Sequence, residues 1–221
     1  MIPESILAIL PELNMAMGQT LLMLSIGLTA AVVLGGPLGV WLFLLGRGQS
    51  LANRPLFAVV DWVVSTVRSF PFIILLVALV PFTRVVAGTS IGPLAAAVPL
   101  SVAAIPYFAR LVEQCLREVP RGVIEAAHAA GASELQIIRR VLLVEARSGL
   151  VLALTMLAIS FLSYSAIAGV VGGGGIGDLA IRYGYYRFQT DVMLLTVAIL
   201  IVMVQVIQLG GNFIARRIDK R

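Results

Sequence analysis

A chain of 221 residues that is 60% hydrophobic and 12% charged, with a mean hydropathy of +1.02, has too little polar surface to coat a soluble globule. This excludes water-soluble enzymes and binding modules and leaves an integral membrane protein. The net charge of +5 and pI near 10.0 fit membrane topology rather than nucleic-acid binding. Cys115 and His128 are the only residues of their kinds, which excludes a disulfide framework within the chain, a CxxC metal site and any motif that needs two imidazoles.

In chain order, residues 1–13 are apolar in clusters but carry Pro3, Pro11, Glu4 and Glu12. They lack the basic start and the small-residue cleavage site of a signal peptide, so the first span is expected to be retained and this stretch to lie at the outer interface. A crossing needs about 20 apolar residues, and five stretches qualify: 19–45, 56–80, 91–111, 147–169 and 192–213. In the first, Gly35 and Gly39 stand at GxxxG spacing, which admits a close neighbouring helix, and Pro37 is expected to bend it. The second carries Asp61 and Arg68 near one helix face and Pro71 after Ser69-Phe70. Ionisable groups inside a membrane point to a pathway or to polar partners on neighbouring helices. The third span holds Pro93, Pro99 and Pro106. Such breaks belong to moving parts of transporters, or reflect the greater frequency of proline in membrane helices.

Residues 117–143, between spans three and four, are patterned as a hairpin. Pro120 suits a first helical turn, Gly131 a left-handed stop, and Ser133 with Gln136 a capping box that opens a second helix. Leu135, Ile138 and Leu142 form its apolar stripe, with Ile137 and Val141 beside it. Alanines at 126, 127, 129 and 130 make the first helix slim enough for a cleft in a partner, with Glu125 as its charged anchor and His128 packing against that partner. Span four carries Ser163 and Ser165, which line a polar route or serve helix packing. In the glycine run that follows, Gly172, Gly174 and Gly177 satisfy GxGxxG, yet no strand precedes them, so a dinucleotide fold is rejected. The run is either a packed or flexible loop, or a pliable gate. No Gly-Lys-Ser/Thr phosphate cradle occurs.

Of the 16 basic residues, 12 fall in the loops after spans one, three and five or at their ends. The positive-inside rule then places the N-terminus outside and the C-terminus, with the hairpin, in the cytoplasm.

Glu125-Ala126-Ala127, Gly131 and Leu143-Val144-Glu145 resemble the cytoplasmic coupling loop of permease subunits in bacterial ABC importers. That family usually has proline where this chain has Val144, so the kink ahead of span four is expected to be missing. Gln19-Thr20-Leu21, Val67-Arg68-Ser69-Phe70-Pro71-Phe72 and the run 168–180 are similar to the permeases of importers for D- and L-methionine. The resemblance implies an all-α, five-span type I importer permease in the bacterial inner membrane, working as a homodimer. It also implies two ATPase subunits, which bind ATP and Mg and leave this chain without a cofactor or catalytic site, and a periplasmic or lipid-anchored substrate-binding protein. Ile124, Glu125, Ala126, Ala127, His128 and Gly131 are the implied coupling residues. Arg68, Pro71, Ser163, Ser165, Gly174 and Gly175 are candidates for a gate or pathway. The alternatives are a permease of this type for another amino acid or small solute, and an ATP-independent carrier or channel, which lacks acidic rings or a filter-like sequence. A membrane serine protease would need a histidine within the spans, and the only one lies in the hairpin.

Overall fold

The computed structural model describes residues 4–219, with side chains from residue 9. The first helix, α1 (Glu4–Ala30), begins well before the expected span and takes Pro11 into its early turns. Ile9, Leu13 and Ala16 recur at helical spacing and are buried against Ile176, Leu179 and Val192. Residues 9–16 are therefore a packed part of the first helix, because that apolar face has a partner and Pro11 removes only one backbone bond. Through a π-helical turn, Ala31–Gly35, α1 passes into α2 (Gly36–Leu45). The Gly36 N–H reaches back to the Ala31 carbonyl, and this wider turn is where the proline-bearing helix adjusts. Together Ile9–Leu45 forms one apolar run of 37 residues. At about 1.5 Å per residue it exceeds the hydrocarbon thickness of about 30 Å and extends beyond it.

Helix α3 (Arg54–Ser69) opens with Asn53 accepting from the Leu56 N–H at 3.1 Å. It ends at Phe70, whose extended backbone is what a residue before proline prefers. Beyond Pro71, α4 (Phe72–Ala78) leaves at 100° to α3, and α5 (Val80–Ala87) stops at Gly88 with φ +72. The span expected over 56–80, which carries Pro71, thus breaks at that proline. Helix α6 (Pro93–Arg117) instead absorbs Pro99 and Pro106 and stands at the centre, touching α1, α2, α3, α5 and α10. Leu100, Ala104, Phe108, Val112 and Leu116 recur every four residues and form its buried stripe. The GxxxG pair of α2 lies on this helix. A methyl group at Gly35 would sit 2.5 Å from the Ile105 carbonyl oxygen, and one at Gly39 would strike that of Ala109.

After α6 come α7 (Arg121–Ala129), α8 (Glu134–Gln136), a π-helical segment Ile137–Leu142 and α9 (Leu143–Glu145). Helix α10 (Arg147–Ala168) packs on α6 and α1, the short α11 (Gly175–Leu179) returns to α1, and α12 (Thr190–Ile218) lies along α10. Val202, Val206, Leu209 and Phe213 of α12 are exposed and need hydrocarbon or protein around them. Among the described residues four helices are long and apolar enough to cross a membrane, and five spans are reached by counting the bent pair α3–α4 as one.

Candidate coupling hairpin and transport path

The hairpin is fixed by backbone bonds at its turn. Helix α7 ends at Ala130, and Gly131 takes φ +77. The Gly131 N–H donates to the His128 carbonyl at 2.9 Å and the Ala132 N–H to that of Ala127 at 3.1 Å, the paired bonds of a Schellman stop. Two residues on, the Ser133 N–H donates to Gln136 Oε1 at 2.8 Å, the return arm of the capping box. Ile124 and Ala127 pack on the core, whereas Glu125, Ala126 and His128 are exposed. The free face of α7 therefore carries one carboxylate among alanines, and His128 Nε2 stands 4.0 Å from Glu134 Oε1. In the second arm the buried pair is Ile137 and Leu142, while Leu135 is 55% exposed. The expected stripe is displaced because π-helical winding brings residues five apart onto one face.

Next to the hairpin lies an ionic lattice. Glu113 of α6 is buried, with carboxylate oxygens 2.7 Å from Arg110 Nη1 and 2.6 Å from Arg117 Nη2. Arg110 Nη2 also donates to Asp61, and to Ser65 Oγ at 3.1 Å, so one guanidinium ties α3 to α6. Asp61 thus pairs across helices rather than with Arg68, whose guanidinium lies 5.5 Å from the Tyr107 ring centroid. Sequence reasoning missed Glu113 and treated Arg110 and Arg117 as topology charges. Their i, i+3 and i, i+4 spacing to Glu113 was the available signal.

An aromatic chain surrounds the bend at Pro71. Phe72 stacks on Tyr164 at 4.7 Å and 5°, Tyr164 meets Phe161 at 5.1 Å, and Phe161 meets Tyr107 at 6.4 Å. Arg68 and Pro71 are exposed beside it. The two serines of α10 diverge. Ser163 opens into a groove of about 510 Å³ between α10 and α12 that also holds Gln205. Ser165 is buried and donates to the Leu162 carbonyl at 2.7 Å.

The glycine run is locked to α1. Gly175 N–H donates to Gln19 Oε1 at 2.8 Å and Ile176 N–H to Thr20 Oγ1 at 3.0 Å, so two side chains of the first span cap α11. Gly174 and Gly175 adopt φ +75 and +84, and a methyl group at either would fall 2.5 Å from Gln19 Oε1 or 2.7 Å from Thr20 Oγ1. Further along, the Tyr183 hydroxyl donates to Glu12 Oε1 at 2.6 Å, which pushes its phenol above the ordinary value. Arg182 bridges Asp178 at 2.8 Å and Glu12 at 3.7 Å. The run is a packed joint here, with Gly174 near α1 and Ser163 in a different cavity.

The helical membrane subunit thus projects a capped hairpin whose first helix, α7, carries the exposed Glu125 among alanines. Residues 35–221 match the family of binding-protein-dependent transport system inner membrane components. The chain belongs to that family, in its branch of methionine-importer permeases, and is a multi-pass ABC transporter permease of the bacterial inner membrane. It is 48% identical over 203 residues to the probable D-methionine transport system permease protein MetI of Vibrio cholerae, covering 92% of this chain and 90% of that one. It is 42% identical over 180 residues to the methionine import system permease protein MetP of Bacillus subtilis, covering 81% of each. A solved structure of the MetNI methionine ABC transporter, in inward-facing conformations, contains a chain that superimposes with a TM-score of 0.94 at 44% identity, covering 96% of this chain and 99% of that one. The fold is accordingly all-α, of the type I importer permease class.

Proposed function

We propose that this chain forms the translocation path of an ATP-driven importer for methionine, accepting both the D- and the L-form. The observation that carries this reading is the superposition of 96% of this chain on a chain of the MetNI methionine ABC transporter. Five spans are too few to enclose a route, so two copies form it on a two-fold axis. Two ATPase subunits bind ATP and Mg and take the Glu125 face of α7 into a groove, and nucleotide-driven closure moves the spans through the hairpin. A substrate-binding protein delivers the solute at the opposite end, near the exposed Tyr185, Tyr186 and Phe188. The N-terminus faces outward and the C-terminus the cytoplasm, in line with the basic loops. This chain itself performs no catalysis.

The groove between α10 and α12 offers chemistry suited to that solute: Ser163 and Gln205 for the charged ends of a zwitterion, and Leu200 and Val204 for an apolar side chain. In proteoliposomes with its ATPases and binding protein, the complex accumulates labelled methionine only with ATP on the ATPase side, and unlabelled D- and L-methionine both compete. ATP-dependent uptake of another amino acid without methionine competition would overturn the substrate while leaving the permease reading in place.

A further inference from the structure

A cavity of about 1020 Å³ opens at the hairpin end of the molecule, between the loop that joins α2 to α3, the first turns of α3, and the junction of α6 with α7. Its walls combine two chemistries. Phe57, Ala58 and Trp62 supply apolar surface over a floor of buried side chains such as Leu45 and Val119, and Arg47, Arg54 and Arg121 supply exposed guanidiniums. Among the described residues these three arginines have no ion-pair or hydrogen-bond partner, whereas the fourth lining arginine, Arg117, is held by Glu113. The one lining carboxylate, Asp61, is already bound by Arg110, so the free charge at the cavity is positive.

Its depth in the membrane follows from its neighbours. The loop lies where the apolar run Ile9–Leu45 ends and α3 begins, at the hairpin end of the molecule. Trp62, 67% exposed, lines the cavity beside the exposed Val59 and Val63 of α3, and tryptophan favours the boundary between hydrocarbon and headgroups. The cavity also borders Ile124, on the inward face of α7, and so lies behind the surface that the hairpin presents to a partner.

We propose that this cavity binds the phosphate-bearing headgroup of an anionic phospholipid, with the guanidiniums around the phosphate and the apolar wall against the glycerol and upper acyl chains. A free phosphate offers the same anion, but it has no use for that wall or for an opening at the level of Trp62. A lipid seated there braces the coupling hairpin from the membrane side.

Native mass spectrometry of the permease, purified with the subunits that accompany it, tests this with phosphatidylglycerol and phosphatidylcholine supplied at equal concentration. Phosphatidylglycerol adducts should predominate. The preference should fall by about fivefold for each guanidinium removed in Arg47→Gln and Arg54→Gln, and return in Arg47→Lys with Arg54→Lys. Retention of the accompanying subunits by each variant shows that it has folded. Equal adducts of the two lipids, or an unchanged preference in the glutamine pair, would overturn the proposal. Inorganic phosphate adducts with no lipid preference would assign the site to a soluble anion and overturn the lipid. Loss of a second permease copy from the glutamine pair would assign these arginines to a subunit contact and overturn it as well.

Discussion

Gln19 and Gly175 lie 156 residues apart in the chain and are joined by a 2.8 Å hydrogen bond from the glycine amide to the glutamine side-chain oxygen. With the neighbouring bond from Ile176 to Thr20, it makes the outset of α11 part of the first span's surface. Replacing Gln19 by Ala leaves a partly buried N–H without an acceptor, at a cost of about 1–3 kcal/mol. Thermal unfolding of the purified protein should show the loss for Gln19→Ala and for Thr20→Val, and a smaller one for Gln19→Glu, which keeps an acceptor oxygen. Unchanged unfolding in Gln19→Ala would mean that the glycine segment holds its shape without α1.

The lattice around Glu113 predicts an asymmetry. Arg110→Met leaves the buried Glu113 carboxylate with Arg117 alone and Asp61 without its partner, which should destabilise by about 1–3 kcal/mol. Glu113→Gln removes the buried charge and keeps hydrogen-bonding atoms, so its effect should be smaller. Denaturation of the two variants in the same detergent checks the order, and a Glu113→Gln effect as large as that of Arg110→Met would contradict it.

Tyr183 gives the pH dependence a sign. Its hydroxyl donates to Glu12, so folding favours the neutral phenol and raises its pKa above the ordinary value of about 10. The contribution is present in full below that value and is lost as pH rises through the folded-state pKa. Between neutral and strongly alkaline pH, the wild type should lose its stability advantage over Tyr183→Phe. An advantage that persists or grows on alkalinisation would exclude the Tyr183–Glu12 bond as its source.

Topology is open to direct measurement. A reporter fused after Arg221 should read as cytoplasmic and one inserted within residues 87–90 as external. The reverse pattern would place the hairpin on the wrong side of the membrane for an ATPase.

Much of the hairpin was legible in the sequence because its determinants are local. Gly131 occupies a backbone position that only glycine adopts freely, and Ser133 and Gln136 sit where the capping box requires them, while Pro120 falls at the N-cap, one residue before the first turn expected for it. The contact of Gly35 and Gly39 with a neighbouring helix was also readable, since small residues four apart have one common use in membranes. The place of the bend at Pro71 was readable too, but its 100° size was not. Pro99 and Pro106 send the same local signal, and α6 absorbs both within a helix packed on several sides, whereas the chain turns at Phe70. Nor could sequence separate Ser163 from Ser165, two residues apart on one helix, as groove and core. The pairing of Asp61 with Arg110 and the capping of Gly175 by Gln19 depend on which helices become neighbours, and that is a property of the whole fold.

The central claim is that α7 transmits ATPase motion through its exposed Glu125 face and its Gly131 turn. Open space surrounds Gly131, so Gly131→Val acts through backbone strain at φ +77, about 1–2 kcal/mol. Combined with Glu125→Lys, it leaves the spans and their packing untouched. The decisive measurement is ATP-driven methionine uptake and ATPase co-purification of this double variant in parallel with the wild type. The account predicts that both fall together while the permease remains folded. Full uptake with full co-purification in the double variant would contradict it.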